Sequence, residues 1–342
     1  MNEKQQPAIW FPAVRTGTGT DVFTETLVAE LQKRGLRAQI TWLPLRAEYA
    51  PWTVAIPKPP EWANVAHVNT WLNPRFMPKR LPIVATIHHS VHHPDLRPYK
   101  GLARAAYHRW WIAPNERRVL HRTHQIIAVS QFVAETARKT LLNVPMKVIY
   151  NGVDTNRYRP GNRQRAADDP FRLLYLGSWI ARKGVDLLAP IMRELGDGFE
   201  LRYTGGSEAA KDRAAMPSNM HDLGHLQGAD AVLNAMQNAD ALLFPSRNEG
   251  FGLVVIEAMA NGLAVIATNG SALIETVKNG ETGMLCRQDD VQQFVHACRT
   301  LAENRNLHGS MSKAARACAF ANFSIDRMVD MYRAIYEKCI DM

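Results

Sequence analysis

Cysteine is scarce and poorly placed for cross-linking. The 342 residues hold four, Cys286, Cys298, Cys318 and Cys339, all late in the chain and in neither paired nor metal-ligand spacing. This excludes a disulfide scaffold and reads as reduced thiols in a cytosolic protein. Long apolar runs are missing as well. No uncharged stretch approaches the roughly 20 residues that a membrane-spanning helix needs. No secretory leader pattern is read at the start, where Asn2 to Gln6 is polar. The chain also lacks internal repeats, low-complexity tracts and any Gly-x-Gly-x-x-Gly spacing, which weakens a dinucleotide oxidoreductase reading.

What is present suits two ordinary domains. An apolar share of 46% over 342 residues fills two cores. The net charge of +9 is uneven: residues 1–170 carry 24 Lys and Arg against 12 Asp and Glu, and residues 171–342 carry 17 against 20. The basic surplus belongs to the first half.

One stretch organises the rest. Leu242 to Phe244 is a short apolar run stopped by Pro245, Gly250 and Gly252 bracket a turn, Leu253 to Ala260 is helical in composition, and Gly262 stops that helix. Leu263 to Ala267 is a second buried strand, which completes a βαβ unit of a parallel sheet. Ligands in such sheets lie beyond the carboxyl ends of the strands, where Glu249 falls. The amides of Phe251, Gly252, Leu253 and Val254 open the helix and can hold a diphosphate. Glu249 precedes that anion site and Glu257 follows it. One carboxylate can then face the sugar end of a nucleotide sugar and the other its ribose. Read alone, the two are equally a loop carboxylate and an ordinary helix charge.

The run Pro245-Ser-x-x-Glu249-Gly-Phe-Gly-Leu253-x-x-x-Glu257-Ala-Met-Ala-x-Gly262 resembles the signature of the large retaining glycosyltransferases of family four. Asn151-Gly-Val-Asp154 followed by Tyr158 and Pro160, and Gly177 followed by Lys183-Gly184, resemble further motifs in the same order, so the resemblance covers nearly the whole chain. It implies an α/β chain of GT-B fold: two Rossmann-like parallel-sheet domains facing each other across a cleft, with a C-terminal helix crossing back. The expected boundaries are 1–160 for acceptor binding, 161–322 for nucleotide-sugar binding and 323–342 for the returning helix, with Gly161 to Pro170 as linker.

Residue by residue, the resemblance implies the following. Glu249, His88 and Lys183 are the catalytic set. Gly17, Thr18, Gly19, Arg182, Phe251, Gly252, Leu253 and Glu257 bind the donor. His88 ends the strand Ile83 to Ile87 where the family delivers a histidine to the sugar; His89 stands where aspartate is usual. Ser178 occupies the place of a family arginine, and Arg182 is expected to supply the missing charge. On the residues alone, Arg15 to Asp21 is a Gly-rich loop between strand and helix, a weak phosphate-approach signal. His88, His89, His92 and His93 invite a metal reading, but adjacent ligands splay apart and no carboxylate pattern accompanies them.

Arg97 to Arg122 holds seven Lys and Arg against one acid, Glu116, with Tyr107, Trp110 and Trp111 among them. This composition suits an anionic membrane surface. It equally suits a solvated basic helix with core tryptophans. No nucleic-acid motif accompanies the charge, so nucleic acid is not an expected partner.

The reaction implied is transfer of a hexose from a nucleoside diphosphate sugar to a glycan or lipid-linked acceptor, with retained configuration, in cell-surface polysaccharide or glycolipid synthesis. Same-face attack is expected, because Glu257 is assigned to the ribose and no second acid remains. No metal or other cofactor is expected, since Lys183 can neutralise the diphosphate. The location expected is the cytoplasm, with peripheral attachment to the inner membrane face. The alternatives are a GT-B nucleotide-sugar epimerase and a non-enzymatic nucleotide-sugar or membrane-binding protein.

Overall fold

A computed structural model describes residues 5–89, 91–161, 166 and 168–341. Of the expected linker, residues 162–165 and 167 lie outside the described residues, as do residues 1–4 of the opening segment. The chain forms two compact units, residues 1–151 with 326–342, and residues 152–325.

The first unit is built on six parallel strands: β1 (Ala8–Val14), β2 (Arg37–Leu43), β3 (Val65–Asn69), β4 (Ile83–Ile87), β5 (Gln125–Ala128) and β6 (Lys147–Val148), in the order β2-β1-β3-β4-β5-β6. β1 and β4 are buried along their whole length, as strands covered on both faces must be. Pro12 is tolerated inside β1 because pairing with β3 is confined to Ile9 and Trp10. Trp10, Leu43, Ala66, Phe76, Ala85 and Val119 form one packed cluster.

The last helix, Ile325–Ile340, buries Met328, Val329, Tyr332, Ile335, Tyr336 and Cys339, a stripe at steps of one, three and four. Each such side chain contributes about 1.5–3 kcal/mol by leaving water. A polar seam runs beside them. Buried His67 shares a hydrogen bond of 2.6 Å with the Tyr336 hydroxyl and one of 2.8 Å with Thr86 Oγ1. Burial, with His88 nearby, pushes the His67 ring down to about 3, so it is neutral there.

The second unit carries β7 (Phe171–Tyr175), β8 (Phe199–Tyr203), β9 (Met220–Asp222), β10 (Ala241–Phe244), β11 (Ala264–Thr268) and β12 (Gly283–Cys286), all parallel, in the order β12-β11-β10-β7-β8-β9. The order reverses between β10 and β7, which pair directly through Leu173 and Leu174. This is the switch point at which doubly wound sheets open a crevice at the strand ends.

Two boundaries differ from the sequence reading. The segment after Asn151, expected to close the first domain at Pro160, belongs to the second unit. Val153 bridges to Ser324, and a Cβ on Gly152 would collide with Ile325. The sequence from His221 to Leu226 reads as a short strand; β9 instead runs Met220–Asp222, starting and stopping earlier. Asp222 ends it because its carboxylate accepts from the amides of Gly205, Gly206 and Gly224 at 3.0, 3.2 and 2.8 Å.

Candidate active site

The switch point of the second unit gathers most of the expected residues. Beyond β7 the chain passes Gly177 and Ser178 into a 3-10 turn, Ala181–Lys183, closed by Gly184 at φ +72°. Beyond β10 it passes Pro245 to Gly252 into the helix Leu253–Ala260. Glycine is required at 184, where a Cβ would run into the Pro245 carbonyl. The two strand-end loops therefore touch backbone to backbone.

Lys183 and Glu249 meet there. Lys183 Nζ lies 2.6 Å from Glu249 Oε1, with both side chains largely buried at 17% and 9% exposure. Ser246 Oγ donates to the same oxygen at 2.5 Å. The Glu249 amide donates to Ser271 Oγ at 3.1 Å. Burial pushes the Glu249 carboxyl up, but the Lys183 ammonium, its hydrogen bond, Ser246 and the Arg182 charge outweigh this and hold it below the usual range. Arg182 itself donates from Nη1 to the Asn248 carbonyl at 2.7 Å.

A pocket of about 440 Å³ opens at the ends of β7 and β8 and the start of the helix Leu253–Ala260; neither Lys183 nor Glu249 lines it. Its walls include Gly177, Ser178, Trp179, Leu253, Val254 and Glu257. Trp179 is fixed by a 2.7 Å bond from its indole N–H to Asp212 and packs 4.9 Å from Tyr203. Gly252 takes φ +88° to start the helix, so the first amides, Leu253 and Val254, open at the pocket wall. The Phe251 ring does not face it: that ring is buried against Phe323 at 5.8 Å.

Glu257 stands in the same wall with a different environment. The Tyr158 hydroxyl donates to its Oε1 at 3.2 Å, and burial pushes its carboxyl up to about 7. Two carboxylates eight positions apart are thus held in opposite states, Glu249 firmly ionised and Glu257 poised near neutrality.

The residues expected from the first half lie in the first unit. His88 follows β4 and packs edge-on to Phe23 at 4.5 Å. Burial pushes its ring down to about 4, so it is neutral at pH 7. Gly17 and Thr18 are exposed in the loop after β1, and Gly19, also exposed, opens the helix Gly19–Lys33. That loop is less open to phosphate than its glycines suggest. The Asp21 carboxylate already accepts from the amides of Thr16 and Gly17 at 2.9 and 2.7 Å and places a negative charge in their concavity. The histidine cluster is dispersed: His92 contacts buried Glu116 at 2.7 Å and His93 packs on Phe132. No group of three or more His, Cys, Asp or Glu among the described residues could hold a metal.

Sequence reasoning passed over Arg247, Tyr158 and Trp179 as individuals. Tyr158 and Arg247 lie inside the quoted motifs, but their partners are distant in sequence. Trp179 carried no signal beyond its place after a strand.

The comparisons with known proteins bear on this geometry. The model for glycosyl transferases group 1 matches residues 161–317, and the model for Glycosyltransferase Family 4 matches residues 58–157. An uncharacterized glycosyltransferase of Methanocaldococcus jannaschii is 28% identical over 220 residues, 64% of this chain and 60% of that protein's length. Among solved structures, sucrose-phosphate synthase from Thermosynechococcus elongatus superposes with a TM-score of 0.82 at 18% identity, covering 98% of this chain and 100% of that one. Anabaena HepE in complex with UDP-glucose gives 0.72 at 15% identity, covering 96% and 99%. With two parallel sheets of six strands and both family models matched in order, the chain belongs to the GT-B glycosyltransferases of the family-4 type.

Proposed function

We propose that this chain moves a hexose from a nucleoside diphosphate sugar to a glycan or lipid-linked acceptor with retention of configuration. The observation that carries the reading is the Lys183–Glu249 pair at the β7/β10 switch point, with Glu257 and the helix start at Leu253 on the wall of a pocket at the same end of the sheet. A buried ammonium at the strand ends and a helix start on the pocket wall suit a diphosphate. Glu257 suits the ribose hydroxyls, and Glu249 suits the sugar hydroxyls. The UDP-glucose held by the HepE neighbour is a donor of the same class.

In the proposed reaction the bond from the anomeric carbon to the diphosphate oxygen breaks. The acceptor oxygen bonds to that carbon on the same face, and its proton passes to the departing phosphate. Lys183 then exchanges its Glu249 partner for the diphosphate and neutralises the growing charge. Full turnover in excess chelator is expected, because this chemistry routes no step through a metal.

A membrane-facing acceptor is the second part of the reading, and a specific surface favours it. The basic segment forms a continuous helical run, Leu102–Tyr107, a π-helical turn His108–Ile112 and Ala113–His121. Trp110 and Leu102 project from it at 73% and 92% exposure, while Trp111 packs against Trp52, itself 66% exposed. The indole N–H of Trp111 and the hydroxyl of Tyr107 both bond to Glu48, joining this helix to the segment that bears Tyr49 and Trp52. Exposed aromatics beside Arg104 and Arg109 suit an anionic lipid surface. No helix among the described residues is long and apolar enough to cross a membrane.

The test is a panel of uridine, guanosine and adenosine diphosphates and their hexose conjugates, read by thermal denaturation and then by transfer to candidate acceptors. Product formed from donor alone would favour an epimerase instead.

A further inference from the structure

Lys183 and Glu249 both sit on irregular backbone, one on a single 3-10 turn and the other on a strand-end loop. Such segments are the mobile parts of a fold unless something ties them down. Misplacement of a reacting group by about 1 Å can cost a hundredfold in rate. Two arginines next to these residues do the tying, each reaching into the other's loop. The Arg247 amide donates to the Arg182 carbonyl at 3.0 Å. In return Arg182 Nη1 donates to the Asn248 carbonyl at 2.7 Å.

The Arg247 side chain extends the lacing. Nη1 and Nη2 grip the two oxygens of Asp186 at 2.7 and 2.7 Å, and Nε donates to Asp289 Oδ1 at 2.6 Å. Nη1 also bonds to the Ala181 carbonyl. The guanidinium thus joins four segments: the turn bearing Lys183, the first turn of helix Val185–Leu195, its own loop, and the segment after β12. Asp289 holds φ +62°, a left-handed conformation that an aspartate keeps only where its surroundings impose it. The arginine side chain is only 9% exposed, whereas its partners Asp186 and Asp289 are about half exposed, at 52% and 49%. An ordinary surface ion pair leaves both members solvated; here the cation is sunk between the loops and the acids cap it from outside.

We propose that Arg247 is a positioning residue, which sets the distance between Lys183 and Glu249 by locking the 181–184 turn to the 245–249 loop. The inference rests on the reading that this pair serves the donor's diphosphate and sugar. Its chemistry demands arginine. A lysine carries the charge but has no planar fork to hold both Asp186 oxygens and Asp289 together.

The experiment is a double-mutant cycle on binding of the nucleoside diphosphate, from UDP, GDP and ADP, that stabilises the wild-type protein, with affinities measured by calorimetry. Lys183→Ala and Arg247→Ala are each expected to weaken binding about tenfold. The double variant is expected to be no weaker than Lys183→Ala alone, because Arg247 acts through Lys183. Arg247→Lys is expected to recover the unliganded melting temperature but not the affinity. Should Arg247→Ala fail to fold, Asp186→Asn removes only the two-oxygen grip and serves the same cycle. Wild-type affinity in Arg247→Ala beside a weakened Lys183→Ala overturns the proposal, as do losses that multiply in the double variant. If Lys183→Ala itself binds normally, or no diphosphate binds at all, the reading of the site falls and the proposal falls with it.

Discussion

Lys183 and Glu249 are 66 positions apart in sequence and share a bond of 2.6 Å between ammonium and carboxylate. Neither is solvated well enough to stand alone. The pair stores a desolvated cation at the strand ends, and a diphosphate is the kind of anion that can take over from Glu249.

Replacing Lys183 by alanine is expected to lower kcat by roughly a hundred- to a thousandfold, the usual cost of losing one donor to developing negative charge. The same change leaves Glu249 buried with less compensation. In the wild type its folded pKa is depressed, so it contributes stability above its ordinary value of 4.5 that is lost as pH falls through the folded value. Denaturant titrations of wild type and Lys183→Ala from pH 3 to pH 8 should show that this acid-side loss shrinks in the variant.

Glu257 gives the opposite sign. Its folded pKa of about 7 exceeds the ordinary 4.5, so its contribution to stability declines as pH rises between those values and stays lost above them. Glu257→Gln is therefore expected to be more stable than wild type at pH 8, by on the order of 3 kcal/mol, with the gap closing below pH 5. Chemical denaturation at the two pH values checks it.

Nucleotide affinity should follow the same group. A ribose diol donates to an ionised carboxylate, so affinity is expected to rise as pH increases through about 7. The Tyr158 hydroxyl lowers that pKa by donating to Glu257. Tyr158→Phe is expected to move the rise to higher pH while leaving affinity at pH 9 within about twofold of wild type. Calorimetric titration across the range reads both.

Trp52 and Trp110 present the aromatic part of the basic surface. Co-sedimentation with vesicles containing phosphatidylglycerol is expected, falling in high salt, with the double change Trp52→Ala and Trp110→Ala abolishing most of it. Each nearby arginine adds about 1 kcal/mol at such a surface. Equal binding to neutral vesicles would remove the electrostatic part of the reading.

Much of the fold was legible in the residues, for identifiable reasons. Ile83–Ile87 coincides with the strand expected there, because parallel strands buried on both faces leave little choice of residue. Gly283–Cys286 carries no such signal: four residues, two of them partly exposed, leave no periodicity to read. The Lys183 turn and the two glutamates were found from their motif. Arg247 was not, since its acidic partners lie 61 and 42 positions away and no local pattern announces them. Tyr158 lies in the motif that begins at Asn151, and its partner Glu257 is 99 positions on. Local spacing shows where a loop must bend, whereas partners across a sheet are settled by topology.

The most direct test is thermal denaturation of the wild-type protein and Lys183→Ala against the same panel of nucleoside diphosphates and their sugars. One diphosphate and its hexose conjugate should stabilise the wild type by about 2.7 kcal/mol at a hundredfold excess over Kd, and far less in the variant at the same concentration. A panel in which no diphosphate raises the wild-type midpoint, or in which Lys183→Ala responds as fully as wild type, would contradict an activated-sugar site at the β7/β10 switch point.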